Sequence, residues 1–396
     1  MRRRFLNLVV LSTLMLSLVF SCTDDTDTPL QQQNPEQTIF MYFPWSGSDI
    51  YPYFEKNISS FEKAIRNNNG LGNNRCIAFI SSSATTAYLI NIYFDGKVCK
   101  RDTIKKYDFN KPIFTTETGI ASIIQDATIS PYTKKWAMII GCHGMGWIPK
   151  GTRIENVANI SKLKKSDKIQ LTRYFGHSSD ASCQTDISTL AKGIELSGKK
   201  MNYILFDDCY MSNIETAFEL KDATNFLIAS TSEIMIEGMP YEVIGKDLLN
   251  SNLEGVCKGF YSFYSNFTTP CGTIGVTDCR EIDNMAELIK RINSKYPNAS
   301  ENVYGLQTLD GFTPAIFFDF GSYVEKICKD ETLKEEFKER LAKLVPYKAN
   351  TKTYYSMYTQ ARKEIKTFSG VTISDPTNNA FVAQEVKETS WYKATH

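Results

Sequence analysis

Five short apolar segments recur along the first 231 residues, and each has the length of a buried strand. They are TIFMYF (38–43), NNRCIAFISSS (73–83), KKWAMIIGCHG (134–144), MNYILFDDC (201–209) and NFLIAST (225–231). Their apolar residues are consecutive rather than alternating, which is typical of strands that are covered on both faces. We therefore expect these segments to form the central strands of one sheet.

The stretches between these strands carry apolar residues at helical spacing. The predicted helices lie within 49–67, 116–132, 186–198 and 211–224. The stretch 86–109 differs because it surrounds the turn pair Asp95-Gly96, and it predicts an antiparallel hairpin. Strands that alternate with helices predict an α/β fold with a mostly parallel central sheet and helices on both faces. In such sheets, ligands bind at the carboxyl ends of the strands.

The pattern is looser after residue 250. Strand–helix pairs are predicted within 269–294 and 313–328, and a further helix within 331–345. We expect residues 37–250 to form the core of the fold and residues 251–396 to complete it.

The first residues have the layout of a secretory signal, predicted over 1–21. Arg2, Arg3 and Arg4 precede an apolar run that is short for a membrane span. The run ends in LVFSC, which resembles a bacterial lipoprotein box with Cys22 as the lipidated residue, and 22–36 would then be a polar tether. The alternative is an ordinary cleaved signal and a stray cysteine. We expect an exported protein, lipid-anchored to the bacterial cell envelope at the outer membrane or cell surface.

Charge and cysteine content narrow the possible functions. The formal net charge is +1, so nothing indicates nucleic acid as a partner. The chain has ten cysteines but no CxxC pair, which argues against a zinc or thioredoxin-like site. If Cys22 carries the lipid, nine cysteines remain, so at least one thiol has no disulfide partner within the chain. An unpaired thiol in an exported protein is a candidate for a reactive cysteine.

Two predicted strands end in residues suited to acyl transfer. Cys209 follows one strand, and we expect it to open a helix whose dipole would stabilise the thiolate. His143 follows another and is the candidate base, while His177 lies in a polar loop and His396 is the last residue. Gly144 would let substrate approach the main chain, so that its amide and that of Cys209 form an oxyanion hole. For each residue alone, a structural cysteine or a buried, hydrogen-bonded histidine is the alternative.

Two longer blocks around these residues resemble the clostripain family of cysteine peptidases, in the caspase–gingipain–legumain group. WAMIIGCHGMGW (136–147) is similar to its His block, and NYILFDDCYMSNIETAFELKDATNFLIASTSE (202–233) to its Cys block. FFDFGSYVEKI and GVTISDP…TSWYK are similar to later segments, so the resemblance runs from Thr38 to the C-terminus. It implies a caspase-like α/β sandwich.

The resemblance also implies roles for individual residues. His143 would be the general acid/base and Cys209 the nucleophile, with the amides of Gly144 and Cys209 binding the oxyanion. Asp207, two residues before the cysteine, would bind a basic P1 side chain, since a carboxylate pairs with Arg or Lys. The alternative for Asp207 is an acid that is stabilised by a helix N-terminus.

The sequence departs from the family's usual pattern at two positions. Asp208 stands where a small residue such as alanine is preferred, and Cys142 where a polar residue is commoner. A second carboxylate beside the thiol would raise the pKa of the thiol if it faced the site.

The family is activated by cleavage between its two blocks. Here KGTRIENVANISKLKKSDK (150–168) lies within a polar loop, 150–183, and suits self-cleavage near Lys162, Lys164 or Lys165. The alternative is a solvated surface loop. Some relatives depend on calcium, but the sequence contains no EF-hand loop or dense ligand cluster, so we expect no metal site and no cofactor.

The predicted function is that of a cysteine endopeptidase with a Cys-His dyad, which hydrolyses proteins or peptides after Arg or Lys. One alternative is a non-catalytic surface lipoprotein that binds a peptide or glycan on a peptidase-like fold. Another is a ligase that uses the same dyad on peptide termini.

Overall fold

The apolar segments form the centre of a nine-stranded sheet in the computed structural model of the chain. The structure describes residues 35–44, 51–128, 133–152, 181–297 and 304–396. Residues 35–396 belong to one compact unit. None of the helices within the described ranges is long and apolar enough to cross a membrane.

Thirteen strands lie in the described ranges, and nine of them build the main sheet. They are β1 (Gln37–Phe43), β2 (Asn74–Ser81), β3 (Thr86–Phe94), β4 (Cys99–Asp108), β5 (Lys135–Ile140), β6 (Met201–Phe206), β7 (Thr224–Ala229), β8 (Thr273–Asp278), β9 (Phe318–Asp319), β10 (Tyr347–Asn350), β11 (Thr353–Ser356), β12 (Ala361–Glu364) and β13 (Thr372–Ile373). The order across the main sheet is β10-β8-β7-β6-β5-β1-β2-β3-β4. The pairs β11–β12 and β9–β13 form two small antiparallel sheets.

Ten α-helices lie in the same ranges. They are α1 (Tyr51–Asn67), α2 (Glu117–Ala127), α3 (Ile187–Leu196), α4 (Ile214–Glu219), α5 (Tyr241–Leu249), α6 (Leu253–Ser265), α7 (Ile282–Lys295), α8 (Phe320–Ile327), α9 (Glu331–Leu344) and α10 (Ser390–Thr395). Helix α1 contacts α5, which contacts α6, while α2 contacts α3. Helix α7 contacts both α9 and α10.

The five predicted central strands are adjacent and parallel, in the order β7-β6-β5-β1-β2. All seven residues of β1 are buried, as a strand covered on both faces requires. The predicted hairpin is present as β3 and β4, which extend the sheet antiparallel beyond β2. The prediction of a mostly parallel sheet flanked by helices is thus confirmed. At the opposite edge, β8 and β10 add antiparallel strands from the chain after residue 250.

Candidate active site

The two candidate catalytic residues follow adjacent strands in matching positions. In the parallel pair β5–β6, Ile140 lies opposite Phe206. His143 and Cys209 each stand three residues beyond these partners, so both lie in the turns that leave the carboxyl edge of the sheet. The two turns begin side by side because β5 and β6 are neighbouring parallel strands that end at the paired residues Ile140 and Phe206. The strand ends that carry the sequence motifs therefore meet, as expected for an α/β ligand site.

Gly144 lies directly against the main chain of Cys209. A Cβ atom at position 144 would come within 2.2 Å of the Cys209 carbonyl oxygen and 2.7 Å of its nitrogen. Since real Cβ atoms do not approach backbone so closely, only glycine permits this contact. Within the described ranges, the buried Gly144 amide donates no hydrogen bond. It is therefore available to an oxygen that binds beside Cys209.

The Cys209 thiol is covered in this structure, whereas His143 is partly exposed. Cys209 has no solvent exposure, and the Ile234 amide nitrogen lies 3.3 Å from Sγ, at hydrogen-bond distance. The Ile234 carbonyl oxygen lies 3.7 Å from the same sulfur. A peptide can therefore reach the sulfur only after the cover over Cys209 has changed.

The prediction that Cys209 opens a helix is wrong. Helix α4 begins at Ile214, five residues later, and is six residues long. Asn213 caps it by accepting the Thr216 amide hydrogen at 2.7 Å. The Asn213 side chain therefore marks the N-terminus of the helix. Because Cys209 lies five residues before Ile214, its thiol is not at the helix N-terminus, where the dipole would stabilise a thiolate.

The turn between Cys209 and α4 instead contains a left-handed residue. Tyr210 has φ +61°, a conformation that costs energy for a non-glycine residue. Its amide donates to the Ser232 carbonyl at 3.0 Å, its hydroxyl donates to Glu233 at 2.8 Å, and its ring stacks on Phe317. These three contacts hold the strained turn that presents the sulfur.

Glu233 is a structural residue of the site that no motif in the sequence marked as functional. It is buried and accepts hydrogen bonds from Tyr210, from the Ser356 hydroxyl at 3.0 Å and from the Met357 amide at 3.0 Å. It thereby links the turn after Cys209 to strand β11. The signal in the sequence was an acid four residues after a buried strand, at the end of the block similar to the clostripain family.

Asp207 is wholly buried at the end of β6. Its Oδ1 accepts the Met239 amide hydrogen at 2.7 Å, and its Oδ2 accepts the Tyr241 hydroxyl at 2.9 Å. The carboxylate therefore holds the start of α5 against the catalytic turn. Its role in binding a basic P1 side chain stays a prediction.

Asp208 and Cys142, the two departures from the family pattern, contact each other. The Cys142 amide donates to Asp208 Oδ1 at 2.5 Å, and the Cys142 Sγ lies 3.5 Å from Oδ2. Both residues are buried. The contact spans the same two turns that carry His143 and Cys209.

The C-terminal segment is joined to both turns by buried hydrogen bonds. Trp147, in the His block, donates to the Ser374 hydroxyl at 2.8 Å. Ser374 in turn donates its amide hydrogen to Glu215 of α4 at 2.6 Å. The Thr372 amide donates to the Ser212 carbonyl at 3.0 Å. These contacts explain why a segment far along the sequence belongs to the same site.

Glu215 and Asp375 form a buried acid pair beside this junction. Burial, and then repulsion from Asp375, raises the pKa of Glu215 well above its ordinary value. Burial raises the pKa of Asp375 from 3.8 to about 7. Neither carboxylate oxygen of Asp375 has a hydrogen-bond partner in the described ranges. The pair is thus an unfavourable place for negative charge.

We expect this pair to weaken the fold as the pH rises. Below about pH 4 the Asp375 carboxyl is protonated in both the folded and the unfolded chain. Between about pH 4 and pH 7 only the unfolded chain readily releases this proton, so the folded chain loses up to roughly 4 kcal/mol of stability. Asp375→Asn should remove this loss, so its urea midpoint should exceed that of wild type more at pH 8 than at pH 5. The exposed Asp222→Asn is the control, and an equal difference at both pH values would contradict the assignment.

Several predicted residues lie outside the described ranges. They are Cys22, Lys162, Lys164, Lys165 and His177. The remaining histidine, His396, stacks on Tyr392 at 3.8 Å and lies 3.2 Å from Asn293 of α7. Burial lowers the pKa of His396. In the described part of the chain, no three His, Cys, Asp or Glu side chains converge in a way that could hold a metal ion.

Comparisons with known proteins show which family this fold belongs to. A chain of known structure from Bacteroides thetaiotaomicron, described as the secreted C11 cysteine protease "iotapain", is 48% identical, with a TM-score of 0.81, over 91% of this chain and 99% of that one. A clostripain from Bacteroides thetaiotaomicron ATCC 29148, in complex with the peptide inhibitor BTN-VLTK-AOMK, is 54% identical, with a TM-score of 0.54, over 56% of this chain and 99% of that one.

A third solved structure, an inactive zymogen C11 protease from Parabacteroides distasonis, shares the fold with 21% identity and a TM-score of 0.75, over 92% of this chain and 99% of that one. A search of curated proteins found no match. The profile of the clostripain family, Peptidase_C11, matches residues 134–389, which include the His block, the Cys block and the later segments quoted above up to Thr389. The chain therefore belongs to the clostripain family of cysteine peptidases, with the caspase-like α/β fold of that family.

Proposed function

We propose that the chain is an endopeptidase that cleaves after lysine or arginine through a dyad of Cys209 and His143. The observation that carries the proposal is the matched placement of these residues beyond Ile140 and Phe206, with Gly144 lying on the Cys209 main chain. A thiol nucleophile with an imidazole base is a sufficient pair for acyl transfer. Neither residue type is required there by a module that only binds.

The proposed reaction proceeds in two steps. Cys209 Sγ attacks the scissile carbonyl carbon while His143 takes the thiol proton, and the amides of Gly144 and Cys209 donate to the oxyanion. The carbon–nitrogen bond then breaks, and His143 returns the proton to the leaving amine. Water, deprotonated by His143, attacks the thioester and releases the acid product together with the free thiol.

Asp207 is the proposed source of the preference for a basic P1 residue. Its carboxylate is two residues from the nucleophile and is buried, where a charge interacts strongly with an opposite charge. The inhibitor bound to the 54% identical clostripain is named with K, the symbol of lysine, next to the AOMK group. A basic side chain that enters from the Cys209 side would compensate the Asp207 charge.

Self-cleavage within 150–183, near Lys162, Lys164 or Lys165, is the proposed route to the active enzyme. The support within the described ranges is the cover over Cys209, whose sulfur lies against the Ile234 main chain. A cut within 150–183 would create two new chain ends between the His block and the Cys block, and these ends would be free to move. The same basic specificity that acts on substrates would then act on the loop.

Export is proposed from the N-terminal sequence, and the 48% identical relative is itself described as secreted. The LVFSC box places the lipid anchor at Cys22, which would hold the peptidase at the bacterial cell envelope. Substrates would then be proteins or peptides outside the cytoplasm.

The proposed specificity is tested with fluorogenic peptides that differ only at P1. Processed wild type should cleave lysyl and arginyl peptides, while uncharged or acidic P1 residues should be poor substrates. Asp207→Asn should lower kcat/KM for basic peptides by about 10- to 100-fold, which is the contribution of a hydrogen bond to a charged group. Asparagine is chosen because it keeps the shape of the side chain and removes only its charge. The matched control is Glu237→Gln, an exposed acid in the loop before α5, two residues from the Met239 amide that Asp207 accepts. Equal cleavage at every P1 residue, or an unchanged preference in Asp207→Asn, would contradict the proposal.

A further inference from the structure

The two positions that depart from the family pattern are partners in space. Asp208 precedes the nucleophile and Cys142 precedes the imidazole, so each stands one residue before a catalytic side chain. Cys142 lies in the turn after β5 and Asp208 in the turn after β6, and a hydrogen bond joins the two residues. The two residues that depart from the family pattern, Asp208 and Cys142, are therefore in contact where the two turns leave the sheet.

The contact has the form of a clamp between the turns. Asp208 Oδ1 lies 2.5 Å from the Cys142 amide nitrogen, which is short even for a hydrogen bond to a charged acceptor. Oδ2 lies 3.5 Å from the Cys142 Sγ. Asp208 has no solvent exposure and Cys142 is 2% exposed, so water does not compete for these groups. A small residue at position 208 would leave the Cys142 amide without this acceptor.

We propose that Asp208 is a positioning residue, whose carboxylate bonds the His143 turn to the Cys209 turn through the Cys142 main chain. The inference rests on the proposed peptidase function. The backbone bond fixes the residue before His143 relative to the residue before Cys209. Gly144 supplies the second point of contact, since a Cβ there would also lie 2.8 Å from the Asp208 Cβ. Two contacts, one on each side of His143, set the distance between the imidazole and the sulfur.

The test compares Asp208→Ala, Asp208→Asn and Cys142→Ala in processed enzyme, with kcat and KM measured separately on a lysyl fluorogenic peptide. Asp208→Ala should lower kcat by about 100-fold, the effect of misplacing a reacting group by about 1 Å, with KM changed by less than about threefold. Asp208→Asn keeps an acceptor oxygen for the Cys142 amide and should lose less than about fivefold. Cys142→Ala loses the thiol but keeps the amide, so its loss should also stay below about fivefold.

The conservative variant decides the case if Asp208→Ala fails to fold. A folded Asp208→Asn that loses 100-fold in kcat would overturn the proposal, because its oxygen still accepts the Cys142 amide hydrogen. So would an Asp208→Ala with wild-type kcat, or a Cys142→Ala as impaired as Asp208→Ala. Failure of the peptidase function is a different result, in which wild type itself cleaves no peptide of the P1 series.

Discussion

Replacement of Cys209 by alanine is expected to reduce kcat on a lysyl peptide by about 10⁶-fold, to the background rate. The whole covalent path depends on one sulfur atom, and no other described cysteine follows a central strand opposite a histidine. Folding should be retained, since the change removes one buried atom and the Ile234 main chain remains in place. The measurement is steady-state hydrolysis, with a urea unfolding curve to compare stabilities.

The same variant tests self-processing on a gel. Wild type should separate into two fragments cut within 150–183, whereas Cys209→Ala should stay intact. Cys257→Ala is the matched control, because Cys257 is also buried but lies in α6. It should be processed and active like wild type. An intact chain in both wild type and Cys209→Ala would refute self-processing, and an active Cys209→Ala would refute the nucleophile.

Replacement of His143 by alanine should lower kcat by about 10⁴-fold, the upper range of what general acid–base catalysis contributes. Without the His143 imidazole, the turn after β5 offers no base to take the thiol proton, and the leaving amine has no proton donor. The thiol itself remains, so added imidazole should restore part of the rate in this variant and none in Cys209→Ala. Initial rates with and without imidazole provide the measurement.

His396→Ala is the control for the loss of a histidine. His396 stacks on Tyr392 at the C-terminus and contacts Asn293, so its removal should leave kcat within about twofold of wild type. Normal activity in His143→Ala would show that another residue acts as the base. His177, which lies outside the described ranges, would then be the next residue to replace.

The central strands were predictable because burial on both faces leaves a direct mark on the sequence. The continuous apolar runs of β1, β5 and β6 are typical of strands in a sheet that is covered on both faces. The start of α2 also depends on a local contact, because the Thr116 hydroxyl caps the helix by accepting the Gly119 amide hydrogen three residues later. The placement of His143 and Cys209 after neighbouring strands agrees with this pattern, because parallel neighbours end at one edge of the sheet.

What escaped prediction depends on contacts between distant residues. The delayed start of α4 at Ile214 depends on a strained Tyr210 that the distant Glu233 and Phe317 support. No local pattern shows that Asp207 bonds to Tyr241, 34 residues later. Edge strand β10 has two exposed and two half-buried residues and no apolar run, so nothing in its sequence distinguishes it from a loop. Such features are specified by the finished fold rather than by any one segment.

Covalent labelling tests most directly whether sulfur and imidazole form one catalytic unit. Processed wild type and His143→Ala are treated, under reducing conditions, with a thiol-reactive peptide ketone that ends in lysine, and the modified residue is identified by mass spectrometry. Rapid modification of Cys209 in wild type, with little in His143→Ala over the same time, is the expected result. Modification of a different cysteine, or an unmodified Cys209 in processed wild type, would contradict it.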